Sequence, residues 1–364
     1  MENIEGKTAF ITGGASGIGL GISKVFARNG MKVVIVDSRQ DALDEAMAYF
    51  KENGGEVHPI NLNVTDREAY VKAADEAEKV FGKIHVLVNN AGVGSGGGPT
   101  EKLTYKDWDY SMGVNVGGVI NGVMTILPRI LKHGEGGHII TTSSTCGLVG
   151  SSNFAIYCTT KFAVTGMMEC LASELQDRNI GVSVLYPGPT MGNLGLSSFV
   201  NRPEHLRNEG ETWPPKMPPP PKDGRPRRSP DDFKVVMMDP VETGERVLRG
   251  IKRNDLFIHT HPEFTNGYKA RHDALIWATS WCGGNAALQR SLEYERERRG
   301  NLRLLLSRFG LVLESTNSER KRIVQGVKSY FTKSQFGQSE NSLYCGAQRG
   351  YKKVRQFPKL NCRS

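Results

Sequence analysis

The sequence predicts an α/β fold: a doubly wound parallel sheet with helices on both faces. Three observations lead there. Strand-like and helix-like patterns alternate from Lys7 through Tyr186. Short runs such as Ile84-His85-Val86-Leu87-Val88 are apolar at almost every position, as strands buried on both faces are. The first such run enters a glycine-rich turn and then an amphipathic helix, the opening of a βαβ unit.

Residues 7–12 form the first strand, and Gly13-Gly14-Ala15-Ser16-Gly17-Ile18-Gly19 the turn. A helical pattern then runs through Ile22, Val25, Phe26 and Ala27. The glycines permit a tight turn and close backbone approach, and the helix N-terminus offers free N–H groups to a pyrophosphate. An ordinary glycine-rich turn reads the same way in isolation, so the next strand carries weight. Residues 32–36 are β-branched and end at Asp37, where an acidic residue grips the adenosine ribose hydroxyls. A carboxylate there repels a 2′-phosphate, which favours NAD over NADP. Arg39 softens that repulsion, and a plain turn residue is the alternative reading of Asp37.

The strand at 84–88 leads into Asn89-Asn90-Ala91-Gly92, small residues that leave room for a flat ring. Val114-Asn115-Val116 falls in a long helix, residues 138–142 form a strand leading into Ser143-Ser144, and residues 182–186 form one leading into Pro187-Gly188-Pro189-Thr190. Tyr157 and Lys161 are one helical turn apart, with Ser144 thirteen residues ahead of the Tyr. A Lys on the same helix face favours the phenolate of a group that titrates near ~10. A Ser hydroxyl can hold a substrate oxygen beside it. The spacing is common in helices, and its meaning depends on the cofactor signals around it.

Together these residues resemble the short-chain dehydrogenase/reductase family. The resemblance rests on Thr12-Gly13-x-x-x-Gly17-x-Gly19, Asn89-Asn90-Ala91-Gly92, Asn115, Ser144, Tyr157-x-x-x-Lys161 and Pro187-Gly188, in order across residues 4–280. The segment from Glu101 to Gly122 is similar to bacterial dehydrogenases that oxidise benzylic alcohols of lignin-derived aryl ethers. The resemblance implies a single Rossmann-type domain over residues 1–287. It implies that Tyr157 is the general acid/base, that Lys161 lowers its pKa and binds the nicotinamide ribose, and that Ser144 orients the substrate oxygen. Asn115 would hold a water linking Lys161 to solvent. Gly13, Ser16, Gly17, Ile18, Gly19 and Asp37 would line the dinucleotide, with Asn63, Val64, Asn90, Ala91 and Gly92 near the adenosine. Pro187, Gly188 and Thr190 would face the nicotinamide.

Two positions depart from the family pattern. Asn63 stands where an Asp usually precedes the Val at adenine. Gly192 stands where a Thr usually binds the carboxamide, and Thr190, two residues earlier, is the available substitute. Ser143 reads as a strand-end hydrogen bonder, Cys158 as a small core filler, and His259 and His261 as surface or packing residues. No His/Cys/Asp cluster has metal-ligand spacing, so no metal is expected.

Residues 193–240 form an insertion after the sixth strand and hold ten of the seventeen prolines. Trp213-Pro214-Pro215 and Pro218–Pro221 favour polyproline II. A substrate lid is the preferred reading, over a surface excursion or a ligand for a proline-recognition domain. Residues 288–364 form a C-terminal extension with 17 Lys and Arg against 6 Asp and Glu, which accounts for the chain's net charge of +9. A charged helix over 288–308 and disorder beyond about Ser315 are expected there. The extension reads as a product of imperfect gene modelling rather than a nucleic-acid-binding or interaction segment.

The six cysteines are scattered and the hydrophobic content is 38%, which suits a soluble protein of a reducing compartment. No signal peptide precedes the first strand, and no apolar run long enough to span a bilayer is expected. The reading is a cytoplasmic NAD-dependent enzyme acting on a bulky, apolar secondary alcohol or its ketone, as a homodimer or homotetramer, with no specific nucleic-acid or membrane partner. An NADPH-dependent ketone reductase and a non-catalytic dinucleotide sensor or scaffold are the alternatives.

Overall fold

The structure, a computed structural model, describes residues 1–94, 97–212 and 237–279. Its sheet has the order β3-β2-β1-β4-β5-β6-β7. The strands are β1 (Thr8–Thr12), β2 (Lys32–Asp37), β3 (Val57–Asn61), β4 (Ile84–Asn89), β5 (Gly137–Thr142), β6 (Ile180–Tyr186) and β7 (Phe257–His259). Every neighbouring pair is parallel. Strand order reverses between β1 and β4, which opens a crevice at their carboxyl ends.

The helices are α1 (Gly17–Arg28), α2 (Gln40–Asn53), α3 (Arg67–Phe81), α4 (Tyr105–Met112), α5 (Gly118–His133), α6 (Ala155–Glu174), α7 (Leu194–Val200), α8 (Pro240–Arg253) and α9 (Thr265–Thr279). Their starts follow local chemistry. Asp66 accepts the Ala69 N–H at 2.9 Å ahead of α3, and Thr104 with Asp107 forms a capping box on α4. Asp239 caps α8, whose first residue is Pro240.

Side chains alternate across each strand, which is why the strand runs are apolar throughout. From β1, Phe10 enters one core with Tyr70, Ile126 and Met168. Ala9 and Ile11 enter the other with Ile22, Phe26, Leu43 and Val247. Helices α1 and α8 meet closely there: a Cβ on Gly21 would lie 2.1 Å from the Pro240 carbonyl oxygen, so only glycine fits.

The long helix expected around Asn115 is interrupted. A π-helical turn over Gly113–Gly117 joins α4 to α5, and such single turns often mark functional positions. The run Tyr105–His133 is long and apolar enough, by length and composition, to cross a membrane. That corrects the expectation that no such run exists. Its apolarity has a local cause: Val119, Val123, Ile126 and Ile130 of α5 are buried, the last three in the core cluster on one sheet face.

The chain divides into two compact units, of which the first comprises Met1–Ser229 with Val235–Glu263. Of the second, the described residues are Phe264 and those of α9. The expected insertion begins as α7 and a 3-10 turn at Glu204–Leu206. The polyproline segments at Trp213–Pro215 and Pro218–Pro221 lie outside the described residues, as do the whole 288–364 extension and its expected helix.

Candidate active site

The crevice between β1 and β4 is lined by the glycine-rich turn. Gly13 and Gly17 adopt φ of 61° and 50°, a region that favours glycine. A Cβ on Gly19 would lie 2.0 Å from the Gly13 carbonyl oxygen, so the turn cannot carry a side chain there. Ser16 occupies the N-cap of α1 without a side-chain cap hydrogen bond, and the first turn holds no acidic residue. Ile18 is packed against the core on that face. The uncapped N–H groups and the glycine cradle fit a pyrophosphate.

Asp37 is buried at the end of β2. Burial raises its pKa, and hydrogen bonds from the N–H groups of Arg39, Ala15 and Ser38 oppose the rise. The Arg39 guanidinium pairs with Asp41 at 3.4 Å, which turns part of the softening charge aside. Asn90 braces the turn: its Nδ2 donates to the carbonyls of Thr12 and Gly13 at 3.2 Å each, and its Oδ1 accepts from Thr142. Ala91 donates its N–H to the Thr12 hydroxyl at 3.1 Å. Asn63 is exposed, and its Oδ1 accepts from both the N–H and the hydroxyl of Thr65. Its acceptor is thus directed into its own loop. Val64 is buried, with its carbonyl held by Asn121.

Ser144, Tyr157 and Lys161 meet at the carboxyl end of β5. The Ser144 hydroxyl accepts the Cys146 N–H at 3.1 Å and hydrogen-bonds Tyr157. Lys161 is buried and donates from Nζ to the Thr142 carbonyl at 2.9 Å. Its Nζ lies 5.5 Å from the centroid of the Tyr157 ring. Burial lowers its pKa to about 8. Burial also raises the Tyr157 pKa to about 12, with Cys146 adding to the rise and the Ser144 hydrogen bond opposing it. The expected lowering by Lys161 is therefore not the ruling effect in this structure. Lys161 is turned to the Thr142 carbonyl, and loss of hydration dominates at the Tyr.

Asn115 lies in the π turn and is almost wholly buried. Its Oδ1 accepts the Val93 N–H at 2.7 Å, and its Nδ2 donates to the Val93 carbonyl and the Thr160 hydroxyl. Both amide hydrogens are committed, so a bound water would have to reach Oδ1. A Cβ on Gly92 would lie 3.3 Å from that Oδ1 and 3.6 Å from Lys161 Nζ. The glycine thus lets the strand end approach both groups.

On the β6 side, the Gly188 N–H donates to Thr260 and to His261 Nδ1 at 3.0 and 3.1 Å. Pro187 accepts the Thr145 N–H through its carbonyl. Thr190 turns its hydroxyl to the Gly188 carbonyl at 3.1 Å. His261, expected as a surface or packing residue, takes the packing role: it is buried and braces the Pro187-Gly188 loop. His259 is exposed and stacks on Tyr186 with centroids 5.1 Å apart.

Some groups escaped sequence reasoning. Arg202 is buried and pairs with Asp107 at 2.8 Å and with Glu211 at 3.1 Å, fastening the segment after α7 to α4. Tyr110 donates to the Ser198 carbonyl, and Ser198 accepts the Gly94 N–H at 2.8 Å. The only sequence signal was the capping pattern at Thr104-x-x-Asp107. A second cluster corrects the expectation of no ligand-like grouping: His85, His133 and Glu135 bring donor atoms within 4.8 Å of one another. Their nitrogens are already engaged. His85 Nδ1 accepts the Thr8 N–H and His133 Nδ1 accepts that of Glu135, while the Nε2 atoms meet Glu135 and the Ile84 carbonyl. Lys7 and Lys83 also hold Glu135. The group is a hydrogen-bonded clamp at the amino ends of β1 and β4.

The family model for short chain dehydrogenases matches residues 7–198. The chain belongs to the short-chain dehydrogenase family. It is an NAD(P)-dependent oxidoreductase of that family, related to C-alpha dehydrogenases. This short-chain dehydrogenase is 38% identical over 277 residues to a C alpha-dehydrogenase of Sphingobium sp. SYK-6, covering 76% of the chain and 87% of the relative. It is 42% identical to the solved apo form of LigO from the same organism, with TM-score 0.65, covering 82% of this chain and 98% of that one. A short-chain dehydrogenase/reductase from Burkholderia phymatum, solved in complex with NAD, shares 30% identity with TM-score 0.68, over 76% and 97% of the two chains.

Proposed function

We propose that this dehydrogenase transfers a hydride between NAD(H) and a bulky, apolar secondary alcohol or its ketone, with Tyr157 as general acid/base. The observation that carries the reading is the meeting of Ser144, Tyr157 and Lys161 beside the dinucleotide crevice. The nicotinamide, when bound, supplies the hydride donor or acceptor. Ser144 holds the substrate oxygen next to the Tyr157 hydroxyl, which takes or returns its proton. Lys161 carries charge beside the ring and passes protons outward, through a water at Asn115 Oδ1. The buried Asp37 carboxylate at the end of β2 supports NAD over NADP, by repulsion of a 2′-phosphate.

A bulky apolar substrate is supported by the apolar side chains left exposed near the insertion. These are Met191, Leu194, Leu196, Val200 and, before α6, Phe154. The resemblance of the segment from Glu101 to Gly122 to dehydrogenases of benzylic alcohols makes an aryl secondary alcohol the first class to test. We place the enzyme in the cytoplasm as a homodimer or homotetramer. The exposed Ile120 and Met124 of α5 support that assembly. A screen of aryl and polycyclic secondary alcohols, followed by NADH absorbance with NAD and NADP in parallel, tests the reading. Tyr157→Phe is expected to lower turnover at least ~10²-fold, within the range for loss of a general acid/base. Normal turnover by that variant on the true substrate would overturn the assignment.

A further inference from the structure

Two thiols stand beside the reacting groups and have no part in the chemistry above. Cys146 is the middle residue of the 3-10 turn Thr145–Gly147, and Cys158 follows Tyr157 in the first turn of α6. Their thiols interact across the junction of these elements. Both are free cysteines: Cys158 is buried, and Cys146 keeps partial exposure. The Cys158 sulfur also accepts the Ser151 N–H at 3.4 Å. The interaction with Cys146 lowers its pKa to about 6, with the Ser151 N–H assisting against burial. The turn is pressed onto α6: a Cβ on Gly147 would lie 2.1 Å from the Ser143 hydroxyl and 2.9 Å from the Lys161 carbonyl oxygen. Cys146 is also tied to the site directly, since its N–H donates to the Ser144 hydroxyl.

We propose that Cys146 and Cys158 form a redox-sensitive dithiol that closes to a disulfide under hydrogen peroxide and switches the site off. The Cys158 thiolate attacks one peroxide oxygen. The O–O bond breaks, hydroxide leaves, and a sulfenic acid forms. The Cys146 sulfur then attacks the Cys158 sulfur, the S–O bond breaks, and hydroxide leaves with the Cys146 proton as water. The two thiols lose two electrons, and the peroxide is reduced to two waters. Closing the two sulfurs to the ~2.05 Å of an S–S bond fixes their Cβ atoms ~3.8 Å apart and re-aims the turn against α6. A displacement of about 1 Å between Ser144 and Tyr157 costs roughly 10²-fold in rate. Removing the thiolate charge beside Tyr157 acts in the opposite sense but leaves the misplacement standing.

The switch rests on the proposed role of Ser144 and Tyr157; the disulfide itself does not. The full chain is treated with hydrogen peroxide, and its thiols are mapped by non-reducing peptide mass spectrometry while NAD-linked turnover is followed. The expected result is a Cys146–Cys158-linked peptide that accumulates as turnover falls at least tenfold, both reversed by dithiothreitol. Cys146→Ala and Cys146→Ser are expected to start near wild-type turnover and to stay within twofold of it under the same treatment. Peptides with both thiols free, or each oxidised separately, would overturn the proposal. So would a linked peptide without loss of turnover, or equal reversible loss in the Cys146 variants. If Tyr157→Phe proves fully active, the reading of the site fails, while the linked peptide still reports on the thiols.

Discussion

Arg202→Met tests how the segment after α7 is fastened to the body. The guanidinium is 5% exposed and its partner Asp107 7%. Besides Asp107 and Glu211, Arg202 donates from Nε to the Leu206 carbonyl at 2.8 Å and lies 5.6 Å from the Tyr110 ring. Breaking a buried ion pair by removing one partner costs about 3–5 kcal/mol. Asp107 keeps hydrogen bonds from the Thr104 N–H, the Thr104 hydroxyl and Asn208, so the low end, about 3 kcal/mol, is expected. Met retains the apolar volume along α4, which separates the ion pair from loss of packing. At 1.4 kcal/mol per tenfold, about 3 kcal/mol makes opening of the segment roughly 10²-fold more frequent. Limited proteolysis reads that opening as faster cleavage within residues 194–212, with the body intact. Turnover measured alongside should show KM raised at least tenfold and kcat changed less. Cleavage rate and KM both within twofold of wild type would refute the reasoning.

Asp37→Ala should raise NADP relative to NAD in kcat/KM by at least tenfold, measured with both cofactors at one pH; an unchanged ratio would remove the charge argument. His138 is fully buried and its pKa is lowered to about 3 by burial. Between that value and the unfolded ~6.5 the unfolded chain binds the extra proton, so stability is present above about 6.5 and falls by roughly 2 kcal/mol at pH 5. Denaturant titrations at pH 7 and pH 5 should show that slope, and His138→Gln should flatten it. For Lys161, lowered to about 8, kcat/KM for alcohol oxidation should rise with pH through about 8, because only the neutral amine can accept the released proton. In Lys161→Arg the remaining activity should lose that rise, since a guanidinium stays charged; a limb still centred near 8 would assign it elsewhere.

Legibility from sequence followed chain distance. The glycine turn, Asp37 and the Tyr157–Lys161 spacing are local, so their positions could be read directly, and the apolar strand runs gave the parallel sheet. Asn115 was placed in a helix, but its π turn depends on how α4 joins α5. The Arg202–Asp107 pair and the His85–His133–Glu135 clamp join residues tens of positions apart. Beyond the capping pattern at Thr104-x-x-Asp107, nothing in either segment alone signals them. For His261 the choice between a surface and a packing role stayed open because its partner, the Gly188 N–H, lies 73 residues earlier.

The electrostatics of the Tyr were the least legible feature, for a physical reason. Spacing on a helix sets which groups share a face; it does not set how much water they lose. A Lys one turn from a Tyr lowers the Tyr pKa only if the ammonium is both charged and turned to the hydroxyl. Here Lys161 is buried and turned to the Thr142 carbonyl, and loss of water pushes both groups toward their neutral forms. Such a site disfavours a standing phenolate–ammonium pair and instead keeps a lysine poised near ambient pH behind a protonated Tyr. On the proposed reading, proton delivery to a ketone comes from a neutral phenol, with Lys161 resetting it. That arrangement makes the hydroxyl's orientation, fixed by the Ser144 hydrogen bond, the sensitive quantity. It is also why the proposed bond, two residues from Ser144 and one from Tyr157, would have leverage over the whole site.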